Sequence, residues 1–244
     1  MMDRFGSAFQ LPQPGDVTEL DTRSNQHLDR GYSVCIDKTW DNKPIEDHDP
    51  ISIQMNWLFQ KMDGEPHKRA IRVQITATLF DDPEAPNDFC GPCSDLYNYE
   101  CVELFFMNEQ GQYLEVELGP HGHWLVLLHE SYRKCFNNGE EIELEVQNRF
   151  DGDQWICTAE IPLAYLPGAV TRFNCYALHG SGENRHYEAL GPMTDGLLKT
   201  PDFHRKEYFC RFDSRRVIPE GYNRKPFNDL KYGDMWESVN ASAE

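Results

Sequence analysis

Three strand-length segments follow one another between residues 97 and 130, and they restrict the fold more than any other part of the chain. Val102–Asn108, Tyr113–Leu118 and His123–Glu130 are rich in apolar residues and have the length of ordinary β-strands. Gly111 lies in the first connection, and the second is Gly119-Pro120-His121-Gly122. Both connections are typical of hairpin turns, so the sequence predicts a β-meander.

The alternation of side chains fixes how these segments pair. Successive residues of a strand point to opposite faces, and a slip of one residue would bring carboxylates into the core. The core face takes the apolar positions Val102, Leu104, Phe106, Leu114, Val116 and Leu118. The pairing that keeps them together sets Met107 opposite Tyr113, Phe105 opposite Glu115 and Glu103 opposite Glu117.

The second face of the meander has two possible interpretations. Alternating glutamates are typical of a solvated sheet face, whereas a ligand-binding hollow also combines carboxylates with aromatic side chains. In the predicted register Leu125 and Leu127 lie beside Glu117 and Glu115. These leucines favour a covered, concave face, because a solvated face would not need them.

The rest of the chain continues the all-β pattern. About ten short strands are expected at regular spacing, among them Ile142–Phe150 and a final strand, FHRKEYFCRF, within Pro201–Phe212. An all-β antiparallel sandwich of jelly-roll type follows. We predict a disordered N-terminal extension over residues 1–30, the sandwich domain over 31–213, and a C-terminal extension over 214–244 that packs on the domain or trails from it.

Charge and hydropathy restrict the partners. The net charge of −18 makes binding to nucleic acid or to anionic membranes unfavourable. No apolar run approaches the length of a membrane span, and the N-terminus lacks the apolar region of a secretory signal. We therefore expect a cytoplasmic or nuclear protein with no nucleic-acid or membrane partner; a protein partner stays unidentified.

The eight cysteines are then expected to be reduced thiols. Cys90-Gly91-Pro92-Cys93 matches the redox motif of thioredoxin-like proteins. That motif works at the start of a helix, where the helix dipole lowers the pKa of a thiol. Here a proline-rich loop precedes the motif and a strand follows it, so a structural role is favoured.

Polar and aromatic residues are concentrated in four short stretches that could hold a ligand. These stretches are Tyr97–Glu103, Tyr113–His123, His179–Glu188 and Asp202–Glu207. Arg185 is expected to neutralise the Glu103/Glu117 pair through a bidentate contact. The candidate binding residues are Trp40, Tyr97, Tyr99, Glu103, Phe105, Tyr113, Glu115, Glu117, His121, His123, His179, Arg185, Tyr187 and Glu188.

No cofactor is expected from the motifs. His121 and His123, together with His179 or His204 and a glutamate, could form a zinc site, but their spacing does not require one. The chain lacks the short motifs of P-loop, serine-hydrolase and zinc-protease sites.

Several segments resemble an uncharacterised eukaryotic family named after open reading frame 33 of human chromosome 4. They are Thr39-Trp40-Asp41, Tyr99–Phe106, Gln112–Leu128, Phe173-Asn174, Ala177–Gly180, Tyr187–Leu190 and Pro201–His204. The resemblance spans roughly residues 32–236, while the N-terminal extension and the CGPC loop depart from the family pattern. No activity is established for the family, so this resemblance implies membership and no chemistry.

At the level of the fold, VELFFMNEQGQYLEVELGPHG is also similar to family-9 carbohydrate-binding modules and their DOMON-like relatives. The matching positions are Glu103, Tyr113, Glu115, Pro120 and Gly122. This resemblance implies a sandwich that binds sugars through aromatic platforms and polar side chains, in some members with structural calcium. Trp40, Trp57 and Trp124 are the candidates for the paired tryptophans of those modules.

Our leading hypothesis is a non-catalytic module that binds a small polar ligand, such as a carbohydrate, on the Glu103/Glu117 face. Two alternatives stay open. One is a hydrolase that uses paired carboxylates and a histidine. The other is a protein-interaction scaffold that docks a basic partner.

Overall fold

The computed structural model describes residues 31–63, 67–86, 89–139, 142–222 and 231–241. The predicted extension over residues 1–30 lies outside the described residues. The strands, in chain order, are β1 (Gly31–Ile36), β2 (Ile51–Gln60), β3 (Lys68–Thr78), β4 (Gly91–Pro92), β5 (Cys101–Asn108), β6 (Tyr113–Leu118), β7 (His123–Ser131), β8 (Lys134–Asn137), β9 (Glu145–Asp151), β10 (Gln154–Pro162), β11 (Val170–His179), β12 (His186–Ala189) and β13 (Cys210–Arg211). One short helix, α1, spans Glu237–Ala241.

Two sheets pack face to face, which confirms the predicted antiparallel sandwich. The first sheet has the strand order β1-β2-β3-β10-β9. The second has the order β12-β11-β5-β6-β7-β4, with β13 beside β11 and β8 beside β7. All pairings are antiparallel except that of the two-residue β4 with β7.

The predicted register of the meander is confirmed. Met107, Phe105 and Glu103 lie opposite Tyr113, Glu115 and Glu117 on β5 and β6. On β7, Leu125 pairs with Glu117 and Leu127 with Glu115. Gly111 has a φ of 82° in the connecting turn, a left-handed conformation that glycine adopts without a steric penalty.

The main core lies between the two sheets. It combines alternate residues of both, such as Ile53 and Val73 from the first sheet and Leu104 and Val116 from the second. Burying one such aliphatic side chain contributes roughly 1.5–3 kcal/mol to stability. The face predicted to be a core face is therefore the inner face of the second sheet.

The second sheet is also covered on its outer face. Phe105, Tyr113 and Tyr176 of that face belong to a separate apolar cluster with Phe203 and Phe209, which lie on the segment before β13. The interpretation of this face as a solvated surface is thus excluded, because Glu103, Glu115 and Glu117 are 3%, 4% and 1% exposed.

Residues after position 213 contribute to the main core. Val217 and Ile218 are buried in it, and the side chain of Trp236 is 0% exposed. The Trp236 indole N–H donates to the Tyr165 carbonyl at 3.2 Å. The described part of the C-terminal segment therefore packs on the sandwich.

Two predicted strands were wrong in extent. The strand expected over Ile142–Phe150 begins only at Glu145, although Ile142 is buried. The segment Pro201–Phe212 forms a 3-10 turn over Lys206–Tyr208 and the two-residue β13. Its Phe203 and Phe209 both cover the outer face of the second sheet, so the segment acts as a cover with little strand pairing.

No helix of the described residues has the length and apolar character that crossing a lipid bilayer requires.

Candidate ligand-binding cavity

An open cavity of about 850 Å³ lies over the outer face of the second sheet. Its floor is formed by β5, β6 and β7, which alternate so that their carboxylates and leucines point to this one side. The floor residues are Glu103, Glu115, Glu117, Leu125, Leu127 and His129. Its walls are built by Tyr97, Arg133, Leu178, Arg185, Tyr187, Phe203 and His204, together with small residues of the neighbouring loops.

Three buried carboxyl groups share the floor. Glu103 and Glu117 face each other on β5 and β6, and Glu115 lies two residues before Glu117 on the same face. Desolvation raises the pKa of Glu103 and Glu117 well above the usual value, and the neighbouring carboxylates raise both further. Desolvation also raises the pKa of Glu115 to about 8. At neutral pH these groups hold protons, so each can donate and accept a hydrogen bond.

Glu117 has an unused hydrogen-bonding atom. Within the described part of the chain, its buried Oε2 contacts no hydrogen-bond partner. An unsatisfied buried polar atom costs about 1–3 kcal/mol, and such a cost is tolerated where a ligand or water completes the bond.

Two histidines extend the polar floor. His129 Nε2 lies 2.7 Å from Glu115 Oε2, and its ring stacks on Tyr113 at 4.3 Å between centroids. The Tyr113 hydroxyl lies 2.8 Å from Nδ1 of His204. Burial lowers the pKa of His129 to about 4 and that of His204 to about 3. Both rings are therefore neutral near pH 7.

Two arginines border the cavity, and neither binds the Glu103/Glu117 pair. Arg133 donates to Asp202 at 2.8 Å. Arg185 donates to the carbonyl oxygens of Gly180, Tyr97 and Tyr99 at 3.0, 2.7 and 2.9 Å. The predicted bidentate contact of Arg185 with the glutamates is therefore wrong. Because the glutamates retain protons, they do not require a cation, and the guanidinium instead holds the loop that carries Tyr97.

Apolar and aromatic surfaces complete the walls. Tyr187 and Leu178 are paired residues on β12 and β11, and the Arg185 guanidinium lies 5.7 Å from the centre of the Tyr187 ring. Phe203 stacks on Tyr176 at 3.9 Å between centroids. Aromatic faces of this kind contact the C–H surfaces of ring-shaped ligands.

The predicted site residues thus divide into three groups. Six of them line the cavity: Tyr97, Glu103, Glu115, Glu117, Arg185 and Tyr187. Phe105 and Tyr113 lie in the apolar cluster beside the cavity, with Trp40 and Tyr99 packed against it. Glu103, Glu117 and Arg185 line the same cavity as His129 and His204.

The remaining histidines of the prediction lie elsewhere. His121 Nε2 contacts Asp81 Oδ1 at 2.8 Å, and His123 is buried at the start of β7. His179 and Glu188 contact each other and do not line the cavity. His121 and His123 therefore do not join His179 or His204 in a common ligand cluster among the described residues.

Sequence analysis missed His129, Arg133 and Phe203 as cavity residues. For His129 the signal was present, because it shares the parity of Leu125 and Leu127 on β7. Arg133 lies in a hairpin turn and Phe203 in the segment that covers the sheet. The alternation of side chains along strands does not predict where such turns and segments run.

The CGPC motif lies outside the cavity and does not begin a helix. Gly91 and Pro92 form β4 at the edge of the second sheet, paired with His123 and Trp124. Cys90 and Cys93 are free thiols, and the Cys90 thiol donates to the His121 carbonyl at 3.1 Å. The environment of a thioredoxin-type thiol, with a helix dipole to lower its pKa, is therefore missing here.

Two mammalian proteins are similar to this chain over most of its length. The mouse UPF0462 protein C4orf33 homolog is 40% identical over 200 residues, which cover 80% of this chain and 97% of the mouse protein. The human UPF0462 protein C4orf33 is 38% identical over 200 residues, with 80% of this chain and 94% of the human protein covered. No protein-family model matches the chain.

The fold is similar to that of solved structures, one of which has a TM-score of 0.50. The latter is a crystal structure from Bacteroides uniformis of a protein named as a candidate carbohydrate-binding protein. It matches with a TM-score of 0.50 at 14% sequence identity, covering 81% of this chain and 90% of that one. At this identity the likeness concerns the sandwich alone.

Proposed function

This chain belongs to the UPF0462 family of C4orf33, as the sequence resemblance predicted, and from that premise we propose that it is a binding module. Its ligand is a small, uncharged, polyhydroxylated molecule of carbohydrate type, held in the cavity above Glu103, Glu115 and Glu117. The observation that carries this proposal is the row of three buried carboxyl groups on the floor of an open cavity, where burial raises their pKa values.

The chemistry of the floor suits hydroxyl groups. A protonated carboxyl group donates one hydrogen bond and accepts others, and so does each hydroxyl of a sugar. Neutral His129 and His204 add further donors and acceptors without adding charge. An anion is disfavoured at this floor, because its charge repels the lone pairs of the carboxyl oxygens and any carboxyl group that loses its proton.

Size and wall composition support the same ligand class. Small-molecule pockets typically enclose about 300–1,000 Å³, and this cavity of about 850 Å³ has room for one or two sugar rings. Leu125, Leu127 and the aromatic walls offer apolar surface for the C–H faces of such rings. The fold shared with the Bacteroides protein makes carbohydrates the first class to examine.

Calorimetric titration of the full chain with neutral mono- and disaccharides tests the proposal. Glu103→Gln preserves a neutral donor and acceptor, so affinity should change by no more than a few-fold. Glu103→Met preserves the volume but removes both functions, and affinity should fall by roughly 10- to 100-fold. Glu109→Gln, on the exposed turn after β5, is the matched control and should bind like the wild type.

Absence of heat with every sugar, confirmed by absence of ligand-induced amide shifts, would overturn the carbohydrate assignment. Equal affinity of the Glu103→Met variant and the wild type would remove the carboxyl row from the binding site.

A second candidate function is hydrolysis, favoured by the contact between Glu115 and His129. Their environments move the two pKa values apart, to about 8 for the acid and about 4 for the imidazole. A proton donor and a neutral base side by side are the components of general acid–base catalysis. Turnover of chromogenic glycosides that disappears in Glu115→Gln would favour hydrolysis over binding alone.

A further inference from the structure

A second polar cluster occupies the opposite face of β11 and β12 from the cavity. Nε2 of His48 and Nε2 of His179 lie 2.8 and 3.0 Å from the same atom, Oε1 of Glu188. The side chains of His48, His179 and Glu188 are 3%, 5% and 2% exposed. This cluster plays no part in the function proposed above.

The alternation of the two strands separates the cluster from the cavity. Leu178 and Tyr187 are paired and line the cavity. Their neighbours His179 and Glu188 point to the other face, where Ala177, the partner of Glu188, enters the main core. Loss of binding at one site can therefore be measured independently of the other.

The connection between β1 and β2 brings His48 to this face. Its backbone is fastened to β12 by the Ala189 N–H, which donates to the Lys38 carbonyl at 2.9 Å. The Trp40 N–H donates to the Tyr187 carbonyl at 2.9 Å as well. His48 thus reaches a residue that is 140 positions away in the sequence.

The hydrogen bonds of His48 define which of its nitrogens can bind a metal. Nδ1 lies 2.8 Å from the backbone carbonyl oxygen of Asp49, so Nδ1 must carry a hydrogen. In the neutral ring Nε2 then presents a lone pair toward Glu188. A histidine whose outer N–H binds a carbonyl, with the other nitrogen facing a carboxylate, has the arrangement of a metal ligand.

The other two side chains are also fixed in place. The His179 ring is stacked between Phe80 and His186, at 3.6 and 4.8 Å between centroids and with interplanar angles of 5° to each. Oε2 of Glu188 is buried and has no hydrogen-bond partner within the described part of the chain. The cluster therefore combines two oriented imidazoles with a carboxylate that has an unused oxygen.

We propose that His48 Nε2, His179 Nε2 and the Glu188 carboxylate bind a divalent transition-metal ion of the zinc class. The three donor atoms lie within 4.8 Å of one another. Ligand atoms at about 2.0–2.2 Å from a tetrahedral zinc ion lie about 3.3–3.6 Å apart, so the two imidazole–carboxylate distances of 2.8 and 3.0 Å must open by about 0.3–0.8 Å to accommodate the ion. Imidazole nitrogen with carboxylate oxygen selects zinc, cobalt or nickel over calcium, which prefers oxygen ligands alone.

Asp47 supplies the fourth ligand. Its Oδ1 lies 3.8 Å from His48 Nε2, and its side chain is 59% exposed, so a change of rotamer would have to bring the carboxylate to the ion. A closed set of four protein ligands is typical of structural metal sites. The ion would join the connection after β1 to β12, at the edge of the second sheet.

The alternative explanation is a cluster that contains no metal and is held together by hydrogen bonds. An imidazolium at His48 and an N–H at His179 could both donate to Oε1 of Glu188 without a metal. The two accounts differ in stoichiometry, in spectra and in the response to substitution.

Metal titration of tag-free full-length protein separates them. After treatment with a chelator, the protein is titrated with Zn²⁺, Co²⁺ and Ca²⁺ separately, and bound metal is measured by elemental analysis. We expect about one equivalent of Zn²⁺ or Co²⁺ and none of Ca²⁺. Bound Co²⁺ should show the visible ligand-field absorption of a four-coordinate site.

Two variants and a matched control complete the design. His179→Gln should weaken zinc binding by more than the roughly 100-fold typical of outer-shell changes, and Asp47→Asn by a smaller factor. His186→Gln is the control, because His186 stacks on His179 but contributes no ligand. If circular dichroism shows that His179→Gln is unfolded, His48→Gln replaces it.

Failure of the folded wild type to bind Zn²⁺ or Co²⁺ would overturn the proposal in favour of the metal-free cluster. Equal zinc affinity of the wild type and the ligand variant would do the same. Neither outcome affects sugar binding, so this inference and the proposed function fail independently.

Discussion

Glu103 on β5 and Glu117 on β6 are directly opposed residues of an antiparallel pair, and both side chains are buried. No arginine or lysine of the described residues forms an ion pair with either of them. Two ionised carboxylates in this position would repel each other at low dielectric. The carboxyl groups on the cavity floor therefore hold protons at neutral pH.

Replacing Glu115 by Gln should remove a pH dependence of stability. Burial raises the pKa of Glu115 from 4.5 to about 8, so between these values the folded protein holds a proton that the unfolded chain releases. The free energy of unfolding therefore falls as pH rises through this window, by up to about 1.4 kcal/mol per pH unit. Urea unfolding across the window should show a smaller slope for Glu115→Gln than for the wild type.

Glu109→Gln serves as the control for this comparison, since Glu109 is exposed on the neighbouring turn. Its slope should match that of the wild type. Parallel profiles for all three proteins would mean that Glu115 is ionised in the folded state.

Removal of the Trp236 side chain should destabilise the whole sandwich. The side chain is fully buried in the main core and its ring packs on Phe136 at 5.1 Å. Trp236→Ala should lower the free energy of unfolding by about 3–5 kcal/mol, measured by urea unfolding. Leu197→Ala, at a side chain that is 76% exposed, should change it by no more than about 0.5 kcal/mol. Equal effects would show that the C-terminal segment is separable from the fold.

Tyr187→Ala should weaken sugar binding, because the Tyr187 ring forms part of the cavity wall. Loss of one aromatic contact of about 0.5–1.5 kcal/mol corresponds to a decrease in affinity of roughly 2- to 12-fold. Tyr187→Phe keeps the ring and should retain most of the affinity in the same calorimetric assay. Phe150→Ala, at an exposed ring on β9 of the first sheet, is the control. Unchanged affinity in Tyr187→Ala would exclude this wall from the site.

Arg185→Lys should loosen the loop that carries Tyr97. The guanidinium bridges the carbonyls of Tyr97, Tyr99 and Gly180, and a lysine ammonium cannot reproduce this planar set of donors. Hydrogen exchange of peptides covering residues 95–100 should be faster in the variant, while the β2–β3 hairpin exchanges as in the wild type. Unchanged exchange in this loop would show that the guanidinium is not its anchor.

The sequence predicted the central meander well because burial there depends on side-chain parity. Side-chain parity excludes a slip by one residue, and the five-residue loop between Met107 and Tyr113 selects the register that the structure has. Parity also marks His129 as a floor residue, because it lies on the same face of β7 as Leu125 and Leu127.

The positions of Arg185, His48 and Phe203 depend on tertiary contacts that cannot be predicted from the spacing of residues in the sequence. Arg185 donates to three backbone carbonyls and not to the glutamates, and sequence spacing does not distinguish these acceptors. His48 meets Glu188 through a loop that joins two strands of the other sheet. The segment containing Phe203 has strand-like composition, yet it covers a face because that face is apolar.

Amide chemical shifts recorded during a sugar titration report residue by residue whether the carboxyl row of the second sheet binds a sugar. We expect saturable shifts for the amides of Glu103, Glu115, Glu117 and His129, with those of the first sheet unchanged. Saturable shifts confined to the first sheet, or no shifts for any sugar, would contradict binding at the carboxyl row.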